Sequence, residues 1–191
     1  MRFFSDPVLE SMARRRSVSK VGSETPTDAE LSTLLAAVTP VADHKALRPW
    51  RLILLRGDDR MKLAQALDAA AGIKREPGDY NKKPFRAELL IALVASPKPH
   101  PKVPEWEQRA TAAGAGHLLE LALWQEGWGV MWRTGLLANA PEVRESHGLT
   151  EDEHLMGWLY VGSIDESFRN RMRISKRPAL DPSQFLGHMP K

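Results

Sequence analysis

The chain has 191 residues, 42% hydrophobic and 27% charged, which is enough apolar material for one packed unit and too much for wholesale disorder. It contains no cysteine, which excludes disulfides, thiolate metal sites, iron–sulfur ligation and a cysteine nucleophile. The net charge of +3 is mild and equals that of the segment from Asp165 onward, where six cations face three acids; the remainder is balanced and lacks the basic face of a nucleic-acid binder.

The start, Met1 to Pro7, lacks the apolar core of a signal peptide. No stretch reaches the roughly 18 apolar residues of a membrane span, so a cytoplasmic location without a membrane partner is expected. Val8, Leu9 and Met12 recur at helical spacing behind Asp6 and Pro7, predicting a helix from Pro7 to about Arg16 with Asp6 as its N-cap. Thr27-Asp28-Ala29-Glu30 is a capping box, so a second helix is expected over about Asp28 to Val38, followed by a polar loop through Thr39-Pro40-Val41-Ala42-Asp43-His44-Lys45. Trp50 to Arg56 reads as a buried strand, and Asp58 or Asp59 as the cap of a helix running to about Ala71.

Gly72 to Ala87, polar and interrupted by Pro77, Gly78 and Pro84, reads as a mobile excursion. Leu89 to Ser96 is the most hydrophobic strand, too continuous to be half exposed, and the prolines from 97 to 104 make an extended connector. Glu105 to Glu126 is a long helix whose middle, Ala112-Ala113-Gly114-Ala115-Gly116, invites the close approach of another backbone, possessing the look of a core helix shared with a partner subunit. Gly127-Trp128-Gly129 leads into a short strand over Val130 to Gly135. Asn139 to Glu142 forms another capping-box pattern ahead of a two-turn helix, and His154 to Gly162 is the last strand. Beyond Gly162 few apolar residues group together, so an arm lying over another surface is expected.

The run Arg14-Arg15-Arg16-Ser17-Val18-Ser19-Lys20 is either an anion cradle, with arginine forks and serine hydroxyls matched to a phosphate, or a solvated helix end. Asp43-His44-Lys45 is either an acid/base pair or an ordinary polar loop. Trp132-Arg133-Thr134 ends an apolar strand in polar groups. The tryptophans at 106, 124, 128, 132 and 158 suit either a planar ligand or the core. No phosphate-binding P-loop or dinucleotide fingerprint is present, and the six histidines never fall at zinc-ligand spacing, so no metal is expected. Ser17-Val18-Ser19-Lys20 matches the Ser-x-x-Lys of penicillin-recognising hydrolases, without their other motifs.

Read in order, Arg15-Arg16-Ser17-Val18-Ser19, Asp43-His44-Lys45-Ala46-Leu47-Arg48-Pro49-Trp50, Lys102-Val103-Pro104-Glu105-Trp106-Glu107-Gln108, Gln125-Glu126-Gly127-Trp128-Gly129, Trp132-Arg133-Thr134-Gly135 and Leu159-Tyr160-Val161-Gly162 resemble the nitroreductase family, in particular its small, minimal NAD(P)H nitroreductases. The resemblance spans roughly Met12 to Gly162. It implies an α+β fold, a central mostly antiparallel sheet flanked by helices, forming a single FMN-binding domain over residues 1–191 with a C-terminal arm from about 163 to 191. It further implies an intertwined homodimer with FMN at two sites between subunits. Arg15, Arg16, Ser17 and Ser19 match the segment that grips the FMN phosphate and ribityl chain, His44 matches a residue contributed by the partner subunit, and Trp132, Arg133 and Thr134 match the segment beside the flavin. The implied activity is ping-pong hydride transfer from NADH or NADPH through FMN to a small-molecule electron acceptor such as a nitroaromatic or a quinone. Relatives also carry out dehalogenation, dehydrogenation and flavin conversion. A reading from another class is a cofactor-free protein that binds nucleic acid or an acidic partner through its basic run and tail.

Overall fold

The computed structural model describes residues 6–174 and 180–190. Its four strands, β1 (Trp50–Leu55), β2 (Leu89–Ala95), β3 (Trp128–Arg133) and β4 (His154–Ser163), form one antiparallel sheet in the order β1-β2-β4-β3. The continuous apolar run of β2 is explained by this order. It lies inside the sheet, every residue buried, and its alternating side chains feed two separate layers. Leu90, Ala92 and Val94 pack with Leu63 of α3 (Asp58–Ala70) and Val143 of α5 (Pro141–Ser146). Leu89 and Ile91 face the other way, against Leu31 and Val38 of α2 (Asp28–Val38) and Ala115, Leu119 and Leu123 of α4 (Glu105–Gln125). Helices on both faces of an antiparallel sheet give the expected α+β class.

Several elements form for the reasons read in the sequence. In α1 (Pro7–Arg14) the Asp6 carboxylate accepts from the amides of Val8 and Leu9. The capping box of α2 is complete, the Thr27 hydroxyl accepting from Glu30 N and the Glu30 carboxylate accepting from Thr27 N.

Other expectations are corrected. β1 is an edge strand, half-buried except at Leu55, because its hydrophobic residues have a neighbouring strand on one side only. Neither Asp58 nor Asp59 caps α3; Gly57, with φ 49°, takes the N-cap position and the two acids occupy the first turn, where they complement the helix dipole. Asn139 does not cap α5. Its side chain exchanges two hydrogen bonds with the backbone of Leu155, 3.0 and 2.9 Å, in a stretch of β4 that extends past the end of β3 and would otherwise lack a partner there. The excursion after Gly72 is tied down: the Arg75 guanidinium pairs with both Asp68 oxygens and with Asp79, and the buried Asn81 donates to Asp68 at 3.0 Å. Arg75 holds the Asp68 carboxyl below the usual carboxylate range.

Within the protomer, the small residues of α4 admit side chains. A Cβ on Gly116 would lie 2.5 Å from Leu93 and 3.1 Å from the Trp132 ring. After β4 come α6 (Glu166–Ile174) and a 3-10 turn at Pro182–Phe185, with Leu180, Phe185, Leu186 and Met189 exposed on the single protomer. The expected arm is only partly covered, since Lys176, Arg177 and Lys191 lie outside the described residues. Among the described residues no helix is long and apolar enough to cross a membrane.

Candidate functional site

The helix that carries the basic run stops at Arg14, earlier than expected, and the chain leaves it in an extended conformation. β3 ends the sheet, so its outer edge presents unpaired backbone groups, and the extended segment pairs with them. Ser17 forms a parallel bridge with Val130, and Val18 N donates to Val130 O at 2.8 Å. Val18 is buried against Gly129, where a Cβ would stand 3.2 Å from its methyl group. Ser17 and Ser19, on either side of it, are exposed, and among the described residues neither hydroxyl has a protein partner. The Arg15 guanidinium, about one-fifth exposed, lies 4.0 Å from the buried carboxylate of Glu120 on α4. Arg16 turns back on the helix it follows: its Nη1 donates to the carbonyls of Ala13, Arg14 and Arg15 at 2.9 to 3.0 Å, the unpaired acceptors of the last turn. A cavity of about 720 Å³ lined by Ser11, Arg14, Arg16, Trp124 and Arg169 touches the expected cluster at Arg16 only.

The end of β3 is fixed with similar care. Trp132 covers Gly116 and donates from Nε1 to Met156 O at 2.9 Å. Arg133 donates from Nη2 to Ser19 O at 3.1 Å and lies 5.3 Å from the centre of the Tyr160 ring, while among the described residues its buried Nε has no partner. Burial pushes the Tyr160 phenol up. Thr134 is exposed just beyond the strand. Arg15, Ser17, Ser19, Trp132, Arg133 and Thr134 therefore share one edge of the sheet. From Val130, opposite Ser17, to Arg133 is three strand residues, about 10 Å.

His44 stands apart. It does not pair with Asp43, whose carboxylate instead accepts from Leu47 N at 3.1 Å and Arg48 N at 2.7 Å. The imidazole Nδ1 meets Glu107 Oε1 at 2.8 Å, in the first turn of α4. Arg15 neighbours Glu120, thirteen residues further along the same helix, so the two parts of the expected site are separated by roughly 20 Å of helix. One protomer does not bring them together. Glu107, Glu120 and Tyr160 were not singled out as site residues in the sequence, although Glu107 and Tyr160 lie inside the motifs that carry the resemblance. Trp158 belongs to the core, donating to Nε2 of the buried His147 at 3.0 Å. Among the described residues no three His, Asp or Glu side chains gather as a metal-binding group.

The fold is that of solved nitroreductase structures. A nitroreductase-like family protein from Bacillus cereus superposes with a TM-score of 0.78 over 100% of both chains at 20% identity. An FMN-bound nitroreductase from Bacteroides fragilis superposes with a TM-score of 0.73 at 18% identity, covering 97% of this chain and 100% of that one. The sequence profile of the Nitroreductase family matches residues 12–163. Escherichia coli K12 YdjA, which carries a provisional NAD(P)H nitroreductase name, is 35% identical over 159 residues, 81% of this chain and 87% of that protein. A Haemophilus influenzae protein with the same provisional name is 27% identical over 187 residues, 95% and 98% of the two chains. The chain belongs to the nitroreductase family, a family of oxidoreductases.

Proposed function

We propose that the protein is an FMN-dependent NAD(P)H oxidoreductase that works as a homodimer and reduces small electrophilic acceptors such as nitroaromatics or quinones. The observation that carries this reading is the junction of the Arg15–Ser19 segment with the end of β3 through the Ser17–Val130 bridge and the Arg133–Ser19 hydrogen bond. The residues there fit the cofactor. Two free hydroxyls beside a partly buried arginine suit a phosphate, and an orphaned buried Arg133 Nε is an unspent donor about 10 Å along the strand, the reach of a ribityl phosphate and its ring.

Bound there, FMN supplies hydride acceptance from NADH or NADPH and donation to the acceptor. Arg15, Ser17 and Ser19 would hold its phosphate and ribityl chain. Arg16 would contribute through the end of α1, because its Nη1 is engaged with that helix. Arg133, fixed by Ser19 O and the Tyr160 ring, supplies preorganised positive charge that favours added electron density on a bound cofactor. Trp132 and Thr134 flank it. The partner subunit's His44 would complete the site, which accounts for the roughly 20 Å of helix separating His44 from Arg15 within one chain. Apolar residues left exposed on α1 (Val8, Leu9, Met12), on α4 (Leu118) and in the C-terminal segment support such an assembly. Absorbance after reconstitution with FMN tests the reading, followed by stopped-flow reduction with each nicotinamide and a panel of acceptors. Absence of flavin peaks overturns it.

A further inference from the structure

We propose that Glu107 is a positioning residue: it orients the His44 imidazole on a strained loop so that Nε2 is presented to the FMN site of a second subunit, a destination that rests on the cofactor reading above. Three non-glycine residues of the loop, Lys45, Ala46 and Arg48, have φ of 66°, 50° and 50°, the left-handed region that their Cβ atoms disfavour. Such strain persists only where surrounding structure imposes it, and it gathers at functional sites. Here the imposition is visible. The Asp43 carboxylate accepts two backbone amides across the loop, Lys98 Nζ donates to Leu47 O at 2.6 Å, and the Thr111 hydroxyl of α4 donates to Ala42 O at 3.1 Å. Lys98 is in turn locked to α4, since the buried Gln108 bonds both its N and its O at 2.8 Å and also donates to Val103 O.

The product of this scaffolding is a set of exposed basic side chains, His44, Lys45 and Arg48, of which His44 has a dedicated partner. A carboxylate can only accept, so the 2.8 Å contact with Glu107 makes Nδ1 the donor and leaves Nε2 as the free atom, an acceptor on the neutral ring and a donor on the charged one. Glu107 is held in the first turn of α4, where the helix dipole favours its charge. The Lys102–Gln108 motif thereby acquires a physical role. Glu107 orients the imidazole, and Gln108 anchors the frame on which the loop rests.

The test is a double-mutant cycle on the dimeric protein, reading FMN affinity from quenching of flavin fluorescence. Glu107→Ala should weaken FMN binding about tenfold, as expected for a lost hydrogen bond to a charged group. Added to His44→Ala, it should change the affinity by less than about twofold, because it acts through the ring. Glu107→Gln, which keeps an acceptor oxygen at the same length, should return binding to within about threefold of wild type. Nitrogen-15 NMR of the apo-protein, at a pH where the ring is neutral, should show His44 protonated at Nδ1, and Glu107→Ala should abolish that preference. Equal weakening by Glu107→Ala with and without His44 overturns the proposal, as does a His44 protonated at Nε2 in the wild type. FMN uptake that is indifferent to Glu107→Ala overturns the proposal alone. Failure of the wild type to take up FMN overturns the cofactor reading and, with it, the destination of His44, while the NMR result still decides the pair.

Discussion

Gly157→Ala would strike the site from behind. Gly157 lies on β4 with φ 115°, at the irregularity where the β2–β4 register shifts, and faces the end of β3. A Cβ there would sit 2.5 Å from Arg133 O, 2.8 Å from Trp132 Nε1 and 3.1 Å from Thr134 Cγ2, touching all three residues of the expected flavin-facing segment. The backbone conformation costs an alanine about 1–3 kcal/mol and the overpacking another 1–3 kcal/mol. Relief requires moving Arg133 O, which closes the last pair of the β3–β4 ladder, or breaking the Trp132–Met156 hydrogen bond. For a chain of this length, about 2–6 kcal/mol lowers the melting temperature by roughly 5–15 °C. Gly148→Ala is the control: Gly148 has φ 57° but nothing within 4 Å of its Cβ position, so it should cost only about 1 kcal/mol. Thermal unfolding of both apo-proteins by circular dichroism, with FMN affinity measured in parallel, decides the matter. Equal melting temperatures for the two variants would refute the steric argument, and unchanged FMN affinity in Gly157→Ala would refute its role in placing the segment.

Acid should weaken the fold in two stages. Burial lowers the pKa of His147 from 6.5, so the unfolded chain takes up that proton first and stability falls as the pH drops below about 6.5. The bidentate pair with Arg51, together with the Thr150 amide, brings Glu153 from 4.5 down to about 2; its contribution is complete above pH 4.5 and lost between there and about 2. Urea unfolding across this range checks both stages, and Glu153→Gln should flatten the second. Arg16→Ala should lower both FMN retention and the stability of α1, the latter by about 1 kcal/mol, since it removes donors from three helix-end carbonyls; a variant that loses only cofactor would show that the contact with α1 is incidental. Asp68→Ala should free the excursion after Gly72, seen as faster amide exchange over residues 73–82, because Arg75 and Asn81 both lose their anchor.

Local signals carried much of the fold. Asp6, the Thr27–Glu30 box and the unbroken apolar run of Leu89 to Ala95 each set the state of their own segment through contacts within a few residues, or through burial on both faces. The misreadings share a cause. Asn139 has the chemistry of a cap, yet it satisfies a strand backbone sixteen residues away; Trp50 to Leu55 has the hydrophobicity of a buried strand, yet its place at the sheet edge leaves it half-buried. Strand order decides both, and strand order is a property of the whole chain.

The same division holds at the site. Ordered motifs were enough to name the family, and they nominated candidate residues because arginine, serine and histidine advertise their chemistry wherever they stand. What only tertiary structure decided is how they are grouped. An extended segment settling on the free edge of β3 placed Ser17 and Ser19 with Arg133 while sending Arg16 back to α1. His44 found its partner 63 residues away in Glu107 rather than in neighbouring Asp43, which the strained loop required for its own amides. These pairings depend on hydrogen bonds between distant segments, for which one-dimensional spacing carries no signal.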